Sequence, residues 1–171
     1  MTLWPDDIRQ SAERLLERCA GRGWTIATAE SCTGGLIAGA LTEIPGSSRA
    51  VDRGFVTYSN RAKADMLGVT TATLEAFGAV SRETALEMVR GALARSDADI
   101  AVAVTGIAGP GGGSEEKPVG LVHIAAAWRG GAVLHRAMRY GDIGRDQVRL
   151  ATVRTALDML DQCVDQASAP V

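Results

Sequence analysis

The chain has 171 residues, with 18 lysines and arginines, 20 aspartates and glutamates, and a formal net charge of -2. This is the length of one ordinary domain, which can bury a hydrophobic core without disulfides or metal ions. The near-neutral charge and an aromatic content of only 4% argue against a nucleic-acid binder, because such proteins need a basic surface or a platform of stacking aromatic rings.

Hydrophobic periodicity and turn residues predict alternating helices and strands along the chain. The first half contains a helix after Pro5 that ends at 21–23, a strand over 24–29, a helix over 34–43, a strand over 54–58 and a short helix capped by Asn60. The second half contains a helix from Ser81 to about Ser96, a strand over 100–105, a hairpin over 119–128 and 132–140, and a last helix over 146–164.

This order of elements predicts the fold class. Helices that alternate with strands and are followed by a hairpin are typical of an α/β protein. We expect a three-layer α/β/α sandwich around a mixed sheet whose C-terminal hairpin is antiparallel. Residues 1–171 are predicted to form a single domain, with a frayed tail over about 166–171.

The sequence gives no sign of secretion or of a membrane span. Cys19, Cys32 and Cys163 are far apart and lack the paired spacing of metal ligands, so we expect reduced thiols. Residues 1–7 lack the basic start and apolar core of a signal peptide, and no apolar run is long enough to cross a bilayer. The expectation is a soluble cytoplasmic protein that acts on a small molecule.

Two glycine-containing loops follow predicted strands. Residues 28–35 lie at a strand-to-helix junction, which exposes backbone N–H groups to an anion. Residues 105–114 lack the ending of a Walker A loop and the glycine spacing of the dinucleotide fingerprint, which argues against nucleoside triphosphates and a redox NAD cofactor. Each loop has a structural alternative, namely tight backbone geometry for the first and a flexible surface loop for the second.

Ser48, Tyr58 and Lys63 form a third candidate group. Singly, a serine in a turn is usually a cap residue and a lysine is usually a solvated charge. Lys63 would be the third residue of a helix capped by Asn60, where the helix dipole and burial near Tyr58 would lower its pKa from about 10.4 toward roughly 7 to 8. A serine with a lysine base is a known alternative to the histidine triad.

The two histidines, His123 and His135, lie in the predicted hairpin, and we interpret both as structural residues. Arg145, near the start of the last helix, is a candidate phosphate ligand, because guanidinium matches phosphate with two parallel hydrogen bonds.

Five segments of the chain closely resemble the CinA C-terminal domain family. They are TAESCTGGLIAGALTEIPGSS (28–48), GFVTYSNRAKADMLGV (54–69), GAVSRETA (78–85), AVAVTGIAGPGGGSEEKPVGLVHIA (101–125) and RDQVR (145–149). The segments follow one another in order between residues 28 and 149. The resemblance implies a nicotinamide-nucleotide amidase, which converts nicotinamide mononucleotide (NMN) and water to nicotinic acid mononucleotide and ammonia in pyridine-nucleotide recycling.

The resemblance also implies the site residues. It places the nucleophile at Ser48, the lysine base at Lys63 and supporting residues at Tyr58 and Arg145. The other motif residues are expected to line the substrate pocket: Ser31, Thr33, Gly34, Gly35, Thr105 and Gly106.

On this interpretation Ser48 attacks the carboxamide carbon, Lys63 takes its proton, and Tyr58 holds the pair in register, without a metal or organic cofactor. One of the two glycine loops would stabilise the oxyanion, and either Arg145 or the N–H groups at 33–35 would bind the substrate phosphate. Both choices stay open at this point.

Two other functions also stay open. One is a catalytically silent nucleotide-sensing or interaction module of the competence and DNA-damage response, and the other is an amidase for a different amide. The resemblance further suggests a homo-oligomer, while the charge and the absence of a long apolar run suggest no nucleic-acid or membrane partner.

Overall fold

The computed structural model describes residues 3–167, and its elements follow the predicted alternation. The helices are α1 (Asp6–Gly21), α2 (Leu36–Thr42), α3 (Asn60–Leu67), α4 (Thr71–Phe77), α5 (Arg82–Ala94) and α6 (Arg145–Gln166). The strands are β1 (Ile26–Glu30), β2 (Val51–Val56), β3 (Ile100–Gly106), β4 (Leu121–Trp128) and β5 (Val133–Arg139), and a short 3-10 helix (Ser47–Arg49) precedes β2. Most of the tail predicted over 166–171 lies outside the described residues.

The strands form one mixed sheet in the order β2-β1-β3-β4-β5. Strand β1 pairs in parallel with β2 and β3, whereas β4 pairs antiparallel with β3 and β5. The β4–β5 pair is the predicted hairpin, and its connection contains the consecutive glycines Gly130 and Gly131. The predicted mixed sheet with a C-terminal antiparallel hairpin is confirmed.

The two faces of the sheet bury different side chains. On β3, Val102 and Val104 belong to the cluster formed with α1, α2 and α6, while Ala101 and Ala103 belong to the cluster formed with α3 and α5. Successive strand residues point to opposite faces of the sheet. One face therefore carries β-branched side chains (the branched face), and the other carries alanines (the alanine face). The alanines leave room for α5 to lie close to the sheet. The predicted α/β/α sandwich is therefore confirmed.

Three local features differ from the prediction. Strand β2 begins at Val51, earlier than the predicted start at 54. Helix α3 is capped by Ser59, whose Oγ accepts a hydrogen bond from the Ala62 N–H at 3.0 Å, so Lys63 is the fourth helical residue and Asn60 is not the cap. Helix α4 was not predicted, because it has only 7 residues and none of them is buried, which leaves little hydrophobic periodicity to detect.

The carboxyl ends of the three parallel strands lie side by side at one edge of the sheet. In the register, Glu30 is the partner of both Val56 and Val104. The segments that follow these strands therefore converge at one edge, which is where open α/β sheets bind ligands. Among residues 3–167, no helix has the length and apolar character that crossing a membrane requires.

Candidate active site

A cavity of about 280 Å³ lies at this edge of the sheet. Its size is close to the lower limit of about 300 Å³ that is typical of small-molecule sites. Its walls come from the segments after β1 and β2, from the end of β3 and the loop that follows it, from the segment before α5 and from the first residue of α6. Six of the predicted site residues line it: Ser31, Tyr58, Lys63, Thr105, Gly106 and Arg145.

A serine and a lysine are in direct contact inside this cavity. The Nζ of Lys63 donates hydrogen bonds to Ser31 Oγ at 2.9 Å and to the Thr57 carbonyl oxygen at 2.8 Å. Lys63 is only 1% exposed, and this burial lowers its pKa to about 8. A lysine with this pKa is partly neutral near pH 7 to 8 and can take a proton from the serine hydroxyl. Ser31 and Lys63 thus have the geometry of a nucleophile and its general base.

The fold holds both members of the pair at the sheet edge. The Ser31 N–H donates to the Val104 carbonyl at 3.1 Å, and the Thr57 N–H donates to the Glu30 carbonyl at 2.8 Å. These bonds extend the pairing of β1 with β3 and of β2 with β1 beyond the ends of the strands. The carbonyl of Thr57 is consequently fixed where it can accept from Lys63.

Ser48 does not belong to this pair. It is exposed on the 3-10 helix that precedes β2, whereas Lys63 lies in the helix that follows β2. Strand β2 has 6 residues, which span about 20 Å at roughly 3.3 Å per residue. The predicted contact between Ser48 and Lys63 is therefore wrong, because the two residues lie at opposite edges of the sheet. The serine beside the lysine is Ser31, which we had predicted only as a pocket residue.

Tyr58 and Arg145 form a second contact at the cavity wall. The guanidinium of Arg145 donates from Nη2 to the Tyr58 hydroxyl at 3.0 Å and from Nη1 to the Gly109 carbonyl at 2.8 Å. Tyr58 is 62% exposed, whereas Lys63, which lines the same cavity, is buried. The tyrosine contacts Arg145, and burial of Lys63 itself is the main cause of its lowered pKa.

Thr33, Gly34 and Gly35 lie behind the cavity and do not line it. Their polar groups bond within the protein: the Gly34 N–H donates to the Ser31 carbonyl at 3.0 Å, and Thr33 Oγ1 and the Gly35 N–H donate to the Glu30 carboxylate at 2.6 and 3.2 Å. The N–H groups of Gly34 and Gly35, which belong to one of the two alternatives for the substrate phosphate, thus already donate to acceptors of the protein itself. Nothing in the sequence indicated that the Glu30 side chain would accept these hydrogen bonds.

Thr105 and Gly106 end β3 and line the cavity. Thr105 Oγ1 donates to the Ala79 carbonyl at 2.7 Å, which joins β3 to the segment before α5. A Cβ atom on Gly106 would lie 2.7 Å from the Leu121 carbonyl oxygen and 2.8 Å from Val122 Cα. Glycine is therefore required at 106 by the close approach of β4.

Several wall residues were not predicted as site residues. Cys32 and the glycines Gly109, Gly111 and Gly112 also line the cavity, although the glycine loop had been noted as a candidate ligand wall. Burial raises the pKa of the Cys32 thiol to about 11, so this side chain is a neutral thiol near Lys63. Within residues 3–167, no group of three or more His, Cys, Asp or Glu side chains is placed to hold a metal ion.

The histidines lie outside this cavity. His123 Nδ1 is 3.1 Å from His135 Nε2, and the two rings are stacked with their centroids 5.3 Å apart. Burial and the neighbouring His135 lower the pKa of His123 to about 4. The pair joins adjacent strands of the hairpin, which fits the predicted structural role.

Comparison with known proteins shows what this chain is similar to. The family model for the CinA C-terminal domain matches residues 8–164. A nicotinamide-nucleotide amidohydrolase PncC of Escherichia coli K12 is 50% identical over 157 residues, which are 91% of this chain and 94% of that protein. A CinA-like protein of Chloroherpeton thalassium is 61% identical over 115 residues, which are 67% of this chain. The chain spans only 27% of the length of that relative and 33% of another from Acetivibrio thermocellus.

The solved structures give the same result. The crystal structure of the competence/damage inducible protein CihA from Agrobacterium tumefaciens has a TM-score of 0.94 and 67% sequence identity, and the match covers 95% of this chain and 99% of that one. The family model matches almost all of the described residues, and relatives are 50% to 67% identical in sequence. The protein therefore belongs to the CinA C-terminal domain family.

Proposed function

We propose that this protein is a nicotinamide-nucleotide amidase that hydrolyses NMN to nicotinic acid mononucleotide and ammonia. The observation that carries the proposal is the contact of 2.9 Å between Lys63 Nζ and Ser31 Oγ inside the cavity. Nucleophile and base are the groups that amide hydrolysis through an acyl-enzyme requires. The substrate is suggested by the name of the Escherichia coli relative, which has nearly the same length as this chain.

In the acylation step, Ser31 Oγ attacks the carboxamide carbon while neutral Lys63 accepts the hydroxyl proton. Lys63 then gives this proton to the amide nitrogen, the C–N bond breaks, and ammonia leaves. In the second step a water molecule loses a proton to Lys63 and attacks the acyl-serine ester. The ester bond to Ser31 breaks, Lys63 returns the proton to Ser31 Oγ, and nicotinic acid mononucleotide is released.

The oxyanion formed in both steps needs N–H donors. Cys32 directly follows the nucleophile, and its N–H group has no acceptor on another described residue, whereas the N–H groups of Gly34 and Gly35 already donate to other residues. The residue after the nucleophile supplies such a donor in α/β-hydrolases. We therefore assign one donor to Cys32. A donor of this kind contributes about 3 kcal/mol to transition-state stabilisation in other hydrolases.

Arg145 is the proposed ligand of the substrate phosphate. Apart from Lys63, it is the only cationic side chain among the described residues that line the cavity, and none of them is a carboxylate. An Arg145→Ala variant should raise KM for NMN at least tenfold, by loss of a charge-assisted bond of about 1.5–3 kcal/mol. The KM for nicotinamide riboside, which lacks the phosphate, should change little. Equal effects on both substrates would reject this role.

The remaining expectations belong to the same proposal. The three cysteines are free and buried, which supports a reducing, cytoplasmic environment. A homo-oligomer that acts on a free nucleotide, without a nucleic-acid partner, is proposed from the family resemblance and the near-neutral charge.

The direct test is ammonia release from NMN by the purified protein in the presence of a chelator, with identification of the nucleotide product. Nicotinic acid mononucleotide and ammonia in equal amounts are expected. Thermal stabilisation by NMN without any product would instead favour a nucleotide-sensing module. Faster turnover of another pyridine carboxamide in direct competition would favour an amidase for a different substrate.

A further inference from the structure

The carboxylate of Glu30 is buried beside the proposed nucleophile. Glu30 has no exposed surface, and it accepts four hydrogen bonds, from Thr33 Oγ1 at 2.6 Å and from the N–H groups of Gly35, Ile37 and Ala38 at 3.2, 3.0 and 2.8 Å. A buried carboxylate is unfavourable unless its oxygens are bonded in this way. These four contacts fix the side chain in one position.

The same contacts fix the segment that contains Ser31. Glu30 is the last residue of β1, and its bonds reach across the loop at 31–35 to the first turn of α2. On the opposite side of this loop, Arg149 Nη2 donates to the Thr33 carbonyl at 3.0 Å. The loop is therefore held from two directions, once by a carboxylate and once by a guanidinium.

Strand geometry links the position of Glu30 to that of Ser31. Successive side chains of an extended chain point to opposite faces of the sheet. Glu30 bonds to α2 on the branched face, while Ser31 bonds to Lys63 of α3 on the other face. Rotation or displacement of the Glu30 side chain would consequently move Ser31 Oγ relative to Lys63 Nζ.

We infer that Glu30 is a positioning residue for Ser31: its hydrogen bonds to the loop and to α2 hold Ser31 Oγ within reach of Lys63 Nζ. This inference rests on the proposed function only in taking Ser31 as the nucleophile. Glu30 itself does not line the cavity, so it acts on the reaction through Ser31.

The chain offers a matched control in Glu87. This carboxylate also holds the start of a helix, because it accepts from the Thr70 N–H at 2.7 Å and from Thr73 Oγ1 at 2.5 Å beside α4. Glu87 does not line the cavity. Glu30→Gln and Glu87→Gln each replace one oxygen acceptor of a capping carboxylate with an NH2 donor, but only the first replacement is next to Ser31.

The experiment measures kcat, KM and thermal unfolding for both variants with NMN. It also measures the rate at which a fluorophosphonate, a reagent that phosphonylates nucleophilic serines, labels Ser31. For Glu30→Gln we expect kcat and the labelling rate to fall together by about 10- to 100-fold, because misplacement of a reacting group causes losses of this size. The KM should stay within about threefold of the wild-type value. For Glu87→Gln both rates should stay within about twofold.

A folded Glu30→Gln protein with kcat and labelling equal to those of Glu87→Gln would overturn the inference. If Glu30→Gln does not fold, Thr33→Val removes only the 2.6 Å bond to Glu30 and should lower both rates by about three- to tenfold; unchanged rates in that variant would overturn the inference equally. If the wild type does not hydrolyse NMN, the proposed function fails, while the labelling rates still decide the role of Glu30.

Discussion

Raising the pH from 7 to 9 should increase kcat/KM for NMN about tenfold and bring it close to a plateau. The proposed base is the neutral form of Lys63, whose pKa is lowered to about 8 by burial. With that pKa the neutral fraction is about 0.09 at pH 7 and about 0.9 at pH 9. A lysine with the ordinary pKa of 10.5 would show an increase of about a hundredfold over the same range and no plateau.

The assay is ammonia release at substrate concentrations well below KM, measured in half-unit steps from pH 6 to pH 10. Chemical unfolding at each pH provides the control that the protein remains folded. A rising limb of the pH–rate profile with an apparent pKa near 8 supports Lys63 as the base. An apparent pKa near 10, or a kcat/KM that does not depend on pH between 7 and 9, would refute the assignment.

Three further predictions concern stability. Between pH 8 and 10.5 the unfolded chain binds the Lys63 proton and the folded chain does not. The free energy of unfolding of the wild type, measured in urea, should therefore rise by about 3 kcal/mol over this range relative to that of Lys63→Met. Equal pH dependence of the two proteins would contradict this. His123 acts with the same sign in a lower pH window. Its pKa falls from 6.5 to about 4 on folding, so stability should drop as the pH falls below 6.5, by on the order of 1–2 kcal/mol after solvent screening, and the drop should be smaller in His123→Gln. Gly106→Ala should lose about 1–3 kcal/mol through overpacking against β4, while Gly21→Ala, whose Cβ meets no atom within 4 Å, should be close to neutral in the same thermal unfolding assay.

Most of the fold could be predicted from the sequence, because its signals are local. The helical spacing from Ile8 to Cys19 gave α1, and the two glycines between β-rich runs gave the hairpin. Helix α4 has no buried face, so periodicity could not detect it. The cap of α3 was misplaced by one residue, because Ser59 and Asn60 are both good capping residues and only the fold decides between them.

The site could be predicted only in part, because it depends on which ends of the strands meet. Lys63 and Arg145 were predicted as site residues and both line the cavity, but the choice of Ser48 over Ser31 rested on resemblance and ignored strand direction. In parallel strands, residues that follow each strand converge, and residues that precede one lie at the far edge. Ser31 follows β1 and Lys63 follows β2, so the contact between these two residues could have been expected from the predicted strands alone.

The role of Glu30 could not have been chosen in this way. A charged side chain at the end of a strand is usually solvated, and its burial becomes visible only when α2 is placed over β1. The exposure of Tyr58 and its contact with Arg145 depend in the same way on the packing of α6, which is more than 80 residues away in the chain.

The central claim is that Ser31 and Lys63 perform the chemistry, and the most direct test compares two serines. Ammonia release from NMN should be measured for wild type, Ser31→Ala and Ser48→Ala, with folding checked by circular dichroism. We expect Ser31→Ala to lose at least about a thousandfold in kcat, as removal of a nucleophile does in serine hydrolases, and Ser48→Ala to stay within about twofold of wild type. Full activity in Ser31→Ala together with loss in Ser48→Ala would contradict the account.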